Sequence, residues 1–151
     1  MKIEEALKMS RFSSEKQKAG LNVMYTAWWL KTMISKELKT YGLTLEQYNL
    51  LRILKGKHPE TMCVRDIASR MIERNSNVPR IVDRLVAKKL VDRSTSEIDK
   101  RETAIALTNS GLDTLHAATE KVDYLFNNSF IIMEEDAQKL NTLLENVRQK
   151  E

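Results

Sequence analysis

Cysteine is nearly absent, with only Cys63 among 151 residues. One thiol excludes an internal disulfide and agrees with a reducing compartment. Proline and glycine are also scarce, at two and four residues, and most of them fall at expected boundaries, so long helices joined by short loops are predicted. No apolar run approaches the roughly 20 residues that a membrane span requires. The first residues, Met1-Lys2-Ile3-Glu4-Glu5, lack the apolar core of a signal peptide, so a cytoplasmic protein is expected. There is no Gly-rich phosphate loop, no GxSxG elbow, and no nucleophile and base that the sequence places together. The two histidines, His58 and His116, lie in different elements without carboxylates at ligand spacing, so no metal site, no cofactor and no enzymatic activity are expected. There is also no repeat, low-complexity tract or interdomain linker.

What remains is a chain with 42% hydrophobic residues, enough for one domain with a real core. Its net charge is only +4, and placement matters more than total. From Arg65 to Arg101 ten basic residues face six acidic ones, whereas from Glu102 onward four basic residues face nine acidic ones. A basic centre suits phosphate, and acidic C-terminal helices suit a protein partner. The contrast is partial, because the residues before Arg65 are basic too.

The most informative stretch is Ser76 to Thr108. Val78, Ile81, Val82 and Leu85 recur at the spacing of one buried helical face, while Asn77, Arg80, Asp83 and Arg84 point away from it. Asn75 or Ser76 is the expected cap of this helix, and if Ser76 caps, Pro79 lies at the third helical position, where the missing N–H has no intrahelical partner. Two β-prone segments follow, Leu90 to Arg93 and Thr103 to Leu107, joined by a charged tip from Ser96 to Arg101. Before this helix, Val64 to Ile72 reads as a helix with Ile67, Ala68 and Met71 inward, and Glu73-Arg74-Asn75 as a turn. Together these make a winged helix-turn-helix.

Around this unit, Ser14 with Gln17 forms a candidate capping box for a helix reaching Tyr41 before Gly42. Thr44 with Gln47 forms another, for a helix through Leu54 that buries Tyr48, Leu51 and Leu54. Thr108 to about Asn128 and Glu134 to Lys150 complete the predicted helices, the last with Leu140, Leu143, Leu144 and Val147 on one face. The first and the last two of these helices carry more apolar surface than a compact winged helix can cover, and a second copy of the chain is the natural cover.

In the helix-turn-helix reading each polar residue has an expected role. Arg80 is the best candidate for base contact, since a guanidinium bonds guanine O6 and N7 together with about 1–3 kcal/mol of discrimination. Asn77 suits adenine, while Arg74, Ser76 and Arg84 suit phosphates that set the register. Lys100 and Arg101 at the tip suit the narrow, electronegative minor groove.

The ordered motifs Arg80-Ile81-Val82-Asp83-Arg84-Leu85, Leu90-Val91-Asp92-Arg93, Asp99-Lys100-Arg101 and Ile105-Ala106-Leu107-Thr108 with Gly111 resemble the MarR family of bacterial transcriptional regulators. The resemblance covers roughly residues 43 to 111. It implies a mainly α fold with a small β-hairpin wing, in which 43–111 form a winged helix-turn-helix DNA-binding lobe within a single domain spanning 1–151. Residues 13–41 and 112–150 would supply the dimerisation helices. It further implies a ligand-responsive repressor that binds a near-palindromic operator on double-stranded DNA as a homodimer.

By the same resemblance, Arg101 matches the family's wing arginine and Asp99 the acid that braces the tip by pairing with an arginine. A small aromatic or phenolic effector would bind between the dimerisation helices and the lobe, where Tyr25, Trp28, Trp29 and Tyr48 form the candidate pocket. An aromatic at helical spacing also serves as core or interface.

Two positions depart from the family. Lys89 stands where glycine commonly follows the recognition helix, implying left-handed strain, and Glu102 sits beside the wing arginine. Cys63, just before the helix at Val64, stands where Ser or Thr would cap better; a thiol there can become oxidisable, yet the family's reactive cysteine lies near the first helix, so a small structural residue is the plainer reading. A winged-helix interaction module that does not bind DNA is the alternative function; an enzyme subunit that uses the winged helix for dimerisation is a third, which the chain length argues against.

Overall fold

A computed structural model describes residues 1–95 and 103–149. Seven helices and three short strands follow in the order α1 (Ile3–Leu7), α2 (Glu15–Lys39), α3 (Leu45–Lys55), β1 (Met62–Cys63), α4 (Val64–Arg70), α5 (Val78–Ala87), β2 (Val91–Thr95), β3 (Thr103–Leu107), α6 (Asn109–Ser129) and α7 (Glu134–Val147). The mainly helical fold with a small wing agrees with the sequence reading. Among the described residues no helix is long and apolar enough to cross a membrane.

Local chemistry fixes most boundaries. The Thr44 capping box is present in both directions, with Gln47 N–H donating to Thr44 Oγ1 and Thr44 N–H to Gln47 Oε1, each at 3.2 Å. At α2 only half of the expected box forms: Ser14 Oγ accepts from Gln17 N–H at 3.1 Å, but Gln17 Oε1 accepts from Ser13 N–H instead, at 2.7 Å. α2 ends in a left-handed turn at Gly42 (φ 66°), with Leu43 N–H donating back to Leu38 O at 3.1 Å.

Several expectations need correction. The five-residue α1 was not foreseen; it lays Ile3 against α2 and is tied there by Lys18 Nζ to Glu4 Oε1 at 2.6 Å. α4 stops at Arg70 rather than Ile72, because the Ile72 N–H donates to Asn49 Oδ1 of α3 at 3.0 Å instead of continuing the helix. The hairpin gains a third strand, β1, so the antiparallel sheet runs β1-β3-β2, with Ile105 facing Met62 on one side and Arg93 on the other. α7 ends at Val147.

One cluster of buried side chains runs from Leu38 and Leu43 through Leu50, Leu51 and Leu54 of α3, Ile67 of α4, the inner face of α5 and Ile105 of β3 to Leu115 and Val122 of α6. β3 is the structural centre of the sheet, with Ala104, Ile105 and Leu107 buried. Beyond Val91, β2 leaves the core and its residues 92–95 are exposed. A strand that buries only its first residue is a projection, and this one carries the chain toward residues 96–102, which lie outside the described part.

α6 begins at a close approach. Thr108 Oγ1 accepts from Gly111 N–H at 2.9 Å and donates to Lys89 O at 2.8 Å, while Thr108 N–H donates to Leu90 O at 3.2 Å. A Cβ on Gly111 would stand 2.0 Å from Leu90 O, so only glycine admits this contact.

Candidate nucleic-acid interface

The geometry of α5 follows from its sequence. Val78, Ile81, Val82 and Leu85 are all buried, each worth about 1.5–3 kcal/mol relative to exposure, which holds the helix firmly by one face. The opposite face carries Arg80, Asp83 and Arg84, all exposed. Among the described residues, the guanidinium groups of Arg80 and Arg84 have no hydrogen-bond or ion-pair partner, so their donors are available to an outside acceptor.

The cap of α5 is Asn77, not Asn75 or Ser76. Asn77 Oδ1 accepts from Arg80 N–H at 3.2 Å, and Pro79 occupies the second helical position, where its missing N–H costs nothing. The capping role engages the Asn77 oxygen that an adenine contact would also need. Ser76 lies one residue earlier, with its Oγ buried and without a hydrogen-bond partner among the described residues. Arg74 folds back to donate to Ser69 O at the end of α4. Of the α4–α5 residues singled out in the sequence, Arg80 and Arg84 therefore share one open face, Asn77 sits at its edge, and Arg74 and Ser76 have other local surroundings.

Sequence reasoning missed the pair between Arg93 of β2 and Asp83 of α5. It ties the base of the wing to the recognition helix, and its sign could have been read from an outward acid on α5 and a basic residue on the adjacent strand. Asp99, Lys100 and Arg101 lie outside the described residues.

The C-terminal end of α5 departs from ordinary glycine chemistry. Lys89 adopts φ 59°, with Lys89 N–H donating to Val86 O at 2.8 Å and Leu90 N–H to Leu85 O at 3.0 Å. This is a Schellman turn with lysine in the left-handed position, and the buried Leu90 and Leu85 supply its hydrophobic contact.

The aromatic quartet is divided. Tyr25 and Trp29 line a cavity of about 320 Å³ whose far wall is Met1, Ile3 and Ala6. Trp28 is exposed, with its ring 5.3 Å from that of Tyr25. Tyr48 is buried in the core, where its hydroxyl donates to Thr119 Oγ1 at 3.2 Å. Two of the four residues thus line one half-open space bordered by the unforeseen α1, with Trp28 against Tyr25 outside it and Tyr48 apart in the core.

A three-helix core with α4 and α5 as a helix-turn-helix, followed by a short antiparallel sheet, is a winged helix-turn-helix. Residues 43–103 match the model of the MarR family. The transcriptional repressor IacR of Pseudomonas putida is 31% identical over 109 residues, spanning 72% of this chain and 64% of that protein. The aligned part thus falls just short of two thirds of its length. The transcriptional regulator YdcH of Bacillus subtilis (strain 168), itself uncharacterised, is 30% identical over 122 residues, covering 78% of this chain and 83% of that protein. A solved complex of S. aureus MepR with DNA has the same fold, with a TM-score of 0.78 and 22% identity, covering 93% of this chain and 100% of that one. The chain belongs to the MarR family of DNA-binding transcriptional regulators, and its relatives are regulators rather than enzymes.

Proposed function

We propose that this regulator is a homodimeric repressor that places two copies of α5 in successive major grooves of a near-palindromic operator. The observation that carries the proposal is the open, unpaired arginine face of a helix whose other face is locked in the core. Arg80, in the first turn of α5, is the base-reading residue, and Arg84 one turn later is a phosphate contact. Asn77 contributes at the edge, through the part of its amide not used in capping. Arg74 and Ser76 act, if DNA closure turns them outward, as phosphate contacts. Lys100 and Arg101 reach the minor groove, with Asp99 bracing the tip.

The terminal segments 13–41 and 112–150 supply the dimer interface, and 43–111 the DNA-binding lobe. Ile131 and Val147 are 91% and 79% exposed, and Met24, Trp28, Met133 and Leu143 are also open, a concentration of apolar surface that a second copy would cover. A two-fold axis then spaces the recognition helices about 34 Å apart. The repressor role is drawn from IacR. A small aromatic or phenolic effector would enter the cavity beside Tyr25 and Trp29, where Asn22 and Thr26 add polar groups, and from there bias the position of α2 and hence the spacing of the two lobes.

Selection of bound duplexes from a randomised library, followed by anisotropy titration across salt, tests this reading. The expected result is a two-fold site, a steep salt slope, and a loss of about 1–3 kcal/mol for Arg80→Ala concentrated at one base position of each half-site. No enriched duplex would overturn DNA binding and bring forward a winged-helix protein-interaction module.

A further inference from the structure

A lysine at the far end of the recognition helix does something that DNA contact does not require. Lys88, the C-cap of α5, directs its ammonium back across the lobe, donating to Gly42 O and, at 2.9 Å, to Gln47 Oε1. Gly42 is the left-handed residue that ends α2, and Gln47 lies in the first turn of α3. One cation thus gathers the end of α2, the start of α3 and the end of α5.

Gln47 is the only buried polar residue among those described, at 3% exposure. Its Oε1 already closes the α3 capping box through Thr44 N–H, so the Lys88 bond falls on an acceptor fixed by a second interaction. A buried amide oxygen held from two sides cannot swing to follow a moving lysine without losing its cap. The link is therefore stiff at the α3 end. At the α5 end it sits one residue before Lys89, whose left-handed turn stops the helix.

At its other end, the helix-turn-helix is approached by α2 once more. Lys31 of α2 pairs with Glu73 in the turn before α5. Both partners are about half exposed, so this tie is the more easily screened of the two.

We propose that Lys88 is a positioning residue for DNA recognition: its clasp on Gly42 and Gln47 fixes the angle of α5 relative to α2, and so sets the spacing between half-sites that the dimer accepts. The inference rests on the operator-binding reading above. A phosphate-contacting lysine and a positioning lysine differ in what they change. The first adds a charge contact that is independent of where the half-sites lie, and the second sharpens the choice of spacing without adding to the salt dependence.

The test uses the full chain and the operator selected by the wild type, rebuilt with one or two base pairs inserted or removed at its centre. Wild type, Lys88→Met and Lys88→Arg are titrated against each duplex at several salt concentrations. Expected for Lys88→Met is an affinity about fivefold to tenfold lower for the selected spacing, a flattened preference among the spacings, and an unchanged salt slope, with Lys88→Arg restoring the preference. A salt slope reduced by about one with the spacing preference intact would make Lys88 a phosphate contact and overturn the proposal. A Lys88→Met profile identical to wild type overturns it as well. A wild type that enriches no duplex overturns the DNA reading itself, and this inference falls with it, an outcome distinct from the other two because it appears before any variant is tested.

Discussion

The winged-helix lobe and the outer helices use their apolar residues in opposite ways. From α3 to β3 nearly every large aliphatic side chain on an inner face is buried within one chain: Leu50, Leu51, Ile67, Val82, Leu85 and Ile105 are all at the centre of the cluster. α7 has no buried residue at all, and along the 25 residues of α2 only Leu38, near its C-terminal end, is buried. Both regions have amphipathic helices, so pattern does not separate them. What separates them is where the facing surface lies: the lobe buries its faces within this chain, against the end of α2 and one side of α6, whereas α7 and most of α2 leave theirs open.

The lobe should accordingly break through close packing. Gly111→Ala drives a methyl group against Leu90 O at the junction of recognition helix, wing and α6. Overpacking usually costs about 1–3 kcal/mol, and a contact with backbone rather than a yielding side chain belongs at or above the upper end. Urea denaturation should show a loss of about 3 kcal/mol; a loss below about 1 kcal/mol would mean that the start of α6 slides freely along Leu90.

The outer helices should break through association instead. Leu143→Glu combined with Val147→Glu places two charges on the apolar face of α7, which in the monomer touches little. Sedimentation should show the dissociation constant of the proposed dimer rising by at least about 100-fold, or about 2.7 kcal/mol, with the helical content of the chain largely retained. Equal losses of association and folding would erase the proposed distinction between the two regions.

A milder change sharpens the comparison from within the lobe. Lys89→Gly removes a left-handed strain of about 1–2 kcal/mol but adds back glycine's entropy cost of about 0.5–1 kcal/mol, so a net gain of up to about 1.5 kcal/mol is expected, read as a rise in Tm. A fall in stability would show that the lysine side chain contributes more than its backbone costs.

How far the sequence could be read follows the same division. The inner face of α5 was legible because its periodicity is strong and its complement lies in the same lobe; so was the Thr44–Gln47 box, where two short-range partners decide the outcome. The strain at Lys89 was visible from the resemblance alone. The cap of α5 was misassigned because Asn75, Ser76 and Asn77 are all good caps in a row; in the structure the helix starts at the buried Val78 and Asn77 caps it. β1 has two residues, too few for any period, and exists only because β3 offers it an edge. α1 was missed for a related reason: Ile3, Ala6 and Leu7 have helical spacing, but five residues do not form a helix in isolation, and docking on α2 supplies the rest. The Lys88 clasp spans 46 residues to Gly42 and leaves no local trace in the sequence.

The docking of α1 yields the smallest and most conditional effect, because it stands between the two regions: it covers the Tyr25–Trp29 cavity but belongs to neither the lobe nor α7. Its polar tie is the Glu4–Lys18 pair. The Lys18 hydrogen bond, with a backbone hydrogen bond second, holds the Glu4 carboxyl below its ordinary range, and the Glu4 hydrogen bond raises the Lys18 ammonium above its own. A depressed carboxyl contributes only above its ordinary pKa and is lost as pH falls through the lowered value. A raised ammonium contributes below its ordinary pKa and is lost as pH rises through the raised one. Docking should therefore be level from about pH 5 to pH 9 and weaken outside that window. In a Trp28→Phe background, Trp29 fluorescence should stay constant across the window and shift toward that of a hydrated indole below it. Lys18→Met should show the hydrated signal already at neutral pH and little further change on acidification. The same acid-dependent shift in Lys18→Met as in the parent would assign the transition to another carboxylate and leave Ile3 packing alone to hold α1 in place.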